Sequence, residues 1–129
     1  MFWPLYATLA YWLVIREIYF TRPVPVTIPT ASVRVSFALD DPKFGSRSER
    51  QRIHRFTAKL DAALATARVG EYDGDEFGEG ECILFMYGPD PEAIYRTIEP
   101  VLRKSTFLQG AKVALFAPGS ATAMRTEVL

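Results

Sequence analysis

Hydrophobic and polar residues alternate along residues 32–39, and this period of two predicts a half-buried strand. Residues 82–87 instead form an unbroken apolar run, which predicts a buried central strand. A further strand is predicted over residues 112–116, and the tail allows a short edge strand over residues 126–129. The pattern is therefore that of a sheet whose most apolar strands lie at its centre.

Two helices are predicted where capping residues precede apolar residues at helical spacing. Ser46 and Glu49 have the spacing of a capping box, in which each side chain binds the backbone amide of the other residue. The helix that follows has apolar residues at positions 53, 56, 60, 63, 64 and 67, and Gly70 is its predicted stop. Asp90 and Pro91 open a second helix, because aspartate caps free amides and proline has no amide to leave unpaired.

The order strand, helix, strand, strand, helix, strand predicts an α+β fold, a ferredoxin-like βαββαβ sandwich. Two helices then cover one face of a four-stranded antiparallel sheet, and the other face stays open. The alternation leaves two sets of residues for that open face: Cys82, Leu84 and Met86, or Ile83, Phe85 and Tyr87. We adopt the second set, and we expect this uncovered patch to be an interface for a second subunit or for the N-terminal segment.

Residues 1–20, from Met1 to Phe20, are apolar and aromatic apart from Arg16 and Glu17, and they predict a hydrophobic N-terminal helix. A membrane span needs roughly 20 apolar residues. Three interpretations stay open: a membrane anchor, an arm packed on the domain or on a twin, or an extension without a role.

Residues 21–30 hold three prolines, which favour extended backbone, and they predict a stiff linker. The domain proper is therefore expected to cover residues 31–129. Because the first basic residues follow the apolar segment, we expect a cytoplasmic location, with membrane association if residues 1–20 are an anchor.

The composition removes several classes of function. Fifteen basic residues balance fifteen acidic ones, so the net charge gives no reason to expect binding to nucleic acid or to an anionic membrane. Cys82 is the only cysteine, which excludes a disulfide framework, and His54 is the only histidine, which removes His-rich metal sites and most catalytic triads. Glu79 and Glu81 precede the apolar strand, where RNA-binding modules of this fold carry basic residues, so no nucleic-acid partner is predicted.

The charges are segregated along the chain. Residues 71–81, here called the acidic hairpin, hold six carboxylates and no base, whereas residues 43–68 hold seven bases and two acids. Glycines at positions 74, 78 and 80 predict a turn in the hairpin and allow a bulge. Either the helix and the hairpin carry solvated or mutually paired charges, or the hairpin docks a basic partner.

The acidic hairpin fails the tests for common chemical motifs. Placing Asp73 and Asp75 at positions 1 and 3 of a calcium loop puts apolar residues at positions 5 and 12, where oxygen ligands are required. Glu79 and Glu81 are expected on one strand face, a spacing open to acid–base chemistry but common among solvated carboxylates. Cys82 has no base near it in the sequence. The sequence thus predicts no catalytic residue, no metal and no cofactor.

Residues 33–129, roughly three quarters of the chain, resemble a family of small uncharacterised bacterial ferredoxin-like proteins. The resembling motifs are FG at 44–45, YDGxExGxGE at 72–81, YGPD at 87–90, EPVL at 99–102 and PG at 118–119. The resemblance implies a shared fold and brings no reaction and no catalytic residue with it. Residues 1–30 lie outside it.

We therefore expect a non-catalytic protein-interaction domain, of the immunity or inhibitor kind, that recognises a protein partner through the acidic hairpin. The expected contact residues are Asp73, Asp75, Glu76, Glu79 and Glu81. The alternative is a small-molecule-binding, cation-binding or enzymatic domain. Its pocket would lie between the hairpin and the open sheet face, lined by Tyr72, Phe85 or Tyr87 beside carboxylates.

Overall fold

The computed structural model describes residues 30–129. The predicted N-terminal helix and nearly all of the predicted linker lie outside this range. The elements in chain order are β1 (Ala31–Ala38), α1 (Arg47–Ala67), β2 (Glu71–Gly78), β3 (Glu81–Gly88), α2 (Pro91–Arg103), a 3-10 turn (Thr106–Leu108), β4 (Lys112–Phe116) and β5 (Arg125–Val128).

The five strands form one antiparallel sheet in the order β2-β3-β1-β4-β5, so the α+β class is confirmed. The number of strands was predicted wrongly as four, because β5 adds a fifth strand at the edge beside β4. This strand has four residues of mixed polarity, and none of them is fully buried, so its pattern is weak in the sequence. It lies close to the region that the sequence indicated for a short edge strand.

Arg125 ties β5 to α2. Its Nε and Nη2 atoms each donate to a carboxylate oxygen of Glu92 at 2.7 Å, and its Nη1 donates to Glu127. The guanidinium carbon lies 5.1 Å from the centre of the Tyr95 ring. The hydrogen bonds from Arg125 lower the pKa of Glu92. This two-point contact gives the edge strand a side-chain attachment in addition to its backbone pairing with β4.

The two central strands build the hydrophobic core. Val33, Val35 and Phe37 of β1 are buried together with Cys82, Leu84 and Met86 of β3, and both helices contribute to the same cluster. Ile83, Phe85 and Tyr87 alternate with the buried residues of β3 and are half-buried. They therefore lie on the side of the sheet that faces away from the helices, which we call the open face.

The helix starts form as the capping pattern predicts. Both bonds of the capping box are present at the start of α1, and Asp90 accepts from the amide of Glu92 at 3.0 Å at the start of α2. The predicted stop of α1 at Gly70 is wrong. The helix ends at Ala67, and Arg68 takes the left-handed conformation (φ 56°) that a glycine more commonly adopts.

Candidate functional site

The acidic hairpin turns through two residues, Glu79 and Gly80. Both have positive φ angles, 53° and 74°, and this is the geometry of a type I′ turn, which matches the twist of the strands it joins. The expectation that Glu79 and Glu81 share a strand face is therefore wrong, because only Glu81 belongs to a strand.

The tip of the hairpin is bound to the loop that follows β1. The amide of Leu39 donates to the carbonyl oxygen of Gly80 at 2.7 Å. The amide of Gly80 in turn donates to the carbonyl oxygen of Lys43 at 2.8 Å. A Cβ atom on Gly80 would lie 3.1 Å from the Pro42 carbonyl oxygen. The backbone of the turn is held in place, so only the side chains of Glu79 and Glu81 need ordering when they meet a ligand.

The register of β2 against β3 divides the carboxylates between two sides of the sheet. Glu76 lies beside Ile83, and Gly78 lies beside Glu81, so Glu76 and Glu81 project on the open face. Asp75 lies beside the buried Leu84, which places it on the helix side. Asp73 is exposed at the irregularity between positions 72 and 74, where the register shifts.

Asp75 is engaged inside the molecule. Its Oδ2 accepts a hydrogen bond from the Tyr72 hydroxyl at 3.1 Å and lies 3.8 Å from Nε2 of His54, an ion pair when His54 is protonated. The His54 ring also meets the Phe77 ring edge-on, with centroids 6.4 Å apart. Burial, and then the charge of Asp75, raise the pKa of Tyr72. Asp75 thus anchors the hairpin to α1, whereas the sequence assigned it to the partner surface.

Three carboxylates, those of Glu76, Glu79 and Glu81, line a shallow depression of about 370 Å³. Gly78 and Ile83 complete its wall. None of the three carboxylates makes a side-chain hydrogen bond or an ion pair with any residue of the described range. The depression therefore combines negative charge with one apolar side chain at the edge of the open face.

Arg34 lies at the centre of the open face. Its guanidinium carbon is 4.4 Å from the centre of the Phe116 ring and 5.6 Å from that of Phe85, both within cation–π range. The strand register places Phe85 beside Arg34 on β3 and Ala114 beside it on β4. Sequence reasoning gave this arginine no role, although the alternation of β1 places it on the open side. The open face is thus an aromatic strip with Arg34 at its centre, Lys112 on β4 beside Ser36, and carboxylates along the β2 edge.

The basic residues of α1 do not neutralise the hairpin. Arg52 lies 3.9 Å from Asp40 and 4.0 Å from Glu49, and its guanidinium also covers the ring of Phe107. Among residues 30–129, the His54–Asp75 contact is the one ion pair between α1 and the acidic hairpin. The negative charge of the depression is therefore left for a ligand or for solvent.

Cys82 has no features of a nucleophile. The residue is fully buried, and burial, followed by the charge of Asp75, raises the pKa of its thiol to about 12. A thiolate is the reactive form, so the thiol is inert at neutral pH.

We expect Cys82 in the native protein to react with a thiol reagent at pH 8 about 100-fold more slowly than in the urea-unfolded chain, because reaction requires opening of the core. Because the folded pKa is raised, the folded state holds the thiol proton more tightly, and the free energy of unfolding should fall as the pH rises from about 9 towards 12. Timed labelling and urea titrations at several pH values measure both effects. Rapid labelling of the native protein would contradict the buried position.

The side chains expected to line a pocket lie on opposite sides of the sheet. Tyr72 is on the helix side with Asp75, whereas Phe85 and Tyr87 are on the open face. Within residues 30–129 no group of three or more His, Cys, Asp or Glu side chains is placed to hold a metal ion. Neither α1 nor α2 is long and apolar enough to cross a membrane.

No protein-family model, curated protein or solved structure matches this chain. Its function has to be argued from the geometry of the site alone.

Proposed function

We propose that this chain is a non-catalytic protein-interaction domain that recognises a basic partner surface, as an inhibitor or immunity protein does. The acidic depression beside the hairpin tip is the recognition site. The observation that carries the proposal is the set of three carboxylates, Glu76, Glu79 and Glu81, that line one depression without internal partners.

Unpaired carboxylates at a fixed position favour electrostatic recognition. A partner that offers Lys or Arg side chains gains charge-assisted hydrogen bonds there, and the field of the site speeds its approach. The backbone bonds that hold Gly80 support this role, since they fix the backbone from which the Glu79 and Glu81 side chains project. Ile83 at the depression wall adds a surface for the apolar stem of the same basic side chain.

The proposal includes a ferredoxin-like core formed by β1–α1–β2–β3–α2–β4, with β5 as an added edge strand. The strand order β4-β1-β3-β2 supports this assignment, because it places the first and third strands at the centre. A fold of this kind hosts many functions, so the function is argued from the site and not from the fold.

Replacing two carboxylates of the depression should weaken the binding of a basic peptide about tenfold, since each exposed charge contact contributes up to about 1 kcal/mol. The variant is Glu79→Gln/Glu81→Gln, and the probe is a fluorescently labelled arginine-rich peptide whose anisotropy is followed at about 0.1 M salt, where the Debye length is about 10 Å. Both residues are exposed, so the free energy of unfolding should stay within about 0.5 kcal/mol of wild type.

Asp61→Lys is the charge-matched control, because it also changes the net charge by two but lies on the exposed side of α1. It should leave the affinity within about twofold of wild type, because charges beyond a Debye length are screened. Equal losses in the two variants would show attraction by net charge alone and would rule out the depression as a site.

A small organic cation is the second candidate ligand, favoured by the volume of the depression, which lies within the range of small-molecule sites. Calorimetric titration with spermidine separates the two candidates. Tight binding of spermidine that displaces the peptide would favour the small ligand, whereas peptide binding that spermidine does not affect would favour the protein partner.

A further inference from the structure

The open face carries an apolar strip on which neither helix packs. Ile83, Phe85 and Tyr87 are half-buried along the central strand β3, with both helices on the other side of the sheet. Phe116 continues the strip on β4 and is 7% exposed beneath Arg34. An apolar patch of this kind on a sheet is a surface for docking.

The chain enters the sheet at one end of this strip. Thr30 leads directly into β1, and Ser32 lies between Tyr87 on one side and Phe116 on the other. The first described residues of the chain therefore lie at the end of the strip that Tyr87 and Phe116 occupy.

The preceding chain is long enough to return along the whole strip. Residues 21–29 hold prolines at 23, 25 and 29 and span up to about 28 Å as an extended linker. The eight residues of β3 measure about 26 Å. Residues 1–20 measure about 30 Å even if they are helical, so they match the length of the strip.

The composition of residues 1–20 suits an apolar surface. They include both tryptophans of the chain, Trp3 and Trp12, and their only charged residues are Arg16 and Glu17. The open face offers an opposite charge to each of these two residues. The carboxylates at its edge suit Arg16, and Arg34 at its centre suits Glu17.

We propose that residues 1–20 fold back and cover the open face of the sheet in the same molecule. A second copy of the chain competes poorly for this surface, because a tethered segment acts at an effective concentration in the millimolar range. Glu76, Glu81 and Ile83 project on the same face, so the covering segment borders the acidic depression and a basic ligand there should compete with it. The position of the segment is therefore measured in the absence of a ligand.

Trp3 and Trp12 make the proposal directly measurable, because the domain itself has no tryptophan. In the 129-residue chain in buffer, their emission maximum should lie at a shorter wavelength than that of the urea-unfolded chain. Iodide should quench this emission only weakly at every protein concentration. Phe85→Glu should shift the emission to the red and roughly double the quenching constant, because the tryptophans lose their apolar contact. Phe44→Glu is the matched control: Phe44 is 59% exposed in the loop before α1, and its replacement should change neither quantity.

A spin label keeps the test independent of the folding of Phe85→Glu. A nitroxide on Tyr87→Cys should quench the tryptophan emission strongly, whereas a nitroxide on Gln51→Cys, on the exposed side of α1, should quench it weakly. Cys82 needs no replacement if it proves inert in the labelling experiment above. A tenfold excess of unlabelled protein should leave the quenching unchanged, since the contact is intramolecular.

Three outcomes would overturn the proposal. If an excess of unlabelled protein reduces the quenching and light scattering shows a dimer, the open face belongs to a second copy. Tryptophans that iodide reaches freely in buffer but not after addition of anionic lipid vesicles would assign residues 1–20 to a membrane. Equal quenching from Tyr87→Cys and Gln51→Cys would show that the segment has no fixed place on the domain.

Discussion

Gly88→Ala should lower the free energy of unfolding by about 3 kcal/mol, since it forces a methyl group into a space with no room for one. A Cβ atom at this position would lie 2.2 Å from the Val69 carbonyl oxygen and 3.0 Å from Cδ1 of Ile94. The oxygen belongs to the backbone, so the clash can be relieved only by moving the connection between α1 and β2 away from β3. Gly70 faces the same contact from the other side, because its Cβ would lie 2.3 Å from the Tyr87 carbonyl oxygen.

Gly78→Ala is the control for this experiment. Gly78 also belongs to a strand of the hairpin, but an added Cβ would meet nothing within 4 Å, and its φ angle is not positive. Its free energy of unfolding should stay within about 0.5 kcal/mol of wild type. Urea unfolding of both variants measures the difference, and equal effects would show that close packing does not set the requirement at Gly88.

Glu49→Ala should destabilise the protein by about 3 kcal/mol, because it leaves several backbone amides without an acceptor. Glu49 is 6% exposed. Its Oε2 accepts from the amide of Asp40 at 2.6 Å, and its Oε1 accepts from those of Asp41 and Ser46 at 3.4 Å. One buried carboxylate thus organises the loop between β1 and the start of α1.

Two further variants separate the contributions of Glu49. Glu49→Gln keeps one acceptor oxygen and should cost about half as much as Glu49→Ala, since the bonds to a charged acceptor are the stronger ones. Ser46→Ala removes the reciprocal bond of the capping box and the exposed contact of the Ser46 hydroxyl with that of Ser48, and should cost about 1 kcal/mol. A Glu49→Ala protein as stable as Ser46→Ala would refute the loop-organising role.

Hydrogen exchange at the Gly80 amide should become faster in Glu49→Ala. The Gly80 amide donates to the Lys43 carbonyl, which lies in the loop that Glu49 organises.

Both positions act on the acidic hairpin from outside it. The contact between Gly70 and Gly88 lies at the base of the hairpin, and the loop that Glu49 organises holds its tip. A variant at either position should therefore weaken peptide binding only to the extent that the hairpin moves or the folded population falls, and always together with a loss of stability. The Glu79→Gln/Glu81→Gln variant should weaken binding with stability unchanged, and this difference distinguishes contact residues from supporting ones.

The missed assignments share one cause, which is contact between distant parts of the chain. The three glycines of the hairpin allow a bulge without giving its position. Only the pairing of β2 with β3 puts it between Tyr72 and Gly74, and this register places Asp75 on the helix side with Tyr72. Gly70 was taken for a helix stop because a glycine after an apolar helix has that local meaning. Its requirement comes instead from the backbone of residues 87 and 88, which meets it from β3.

The sequence by itself determined the central strands, the start of each helix and the α+β class. These features depend on residues within a few positions of one another: the alternation in β1, the apolar run of β3 and the pairing of Ser46 with Glu49. The tertiary structure alone decided two further features: the clamped hairpin, and the division of its carboxylates between the helix side of the sheet and a depression on the open face. Each of these depends on strand register and backbone contacts between separate elements, which local sequence patterns do not encode.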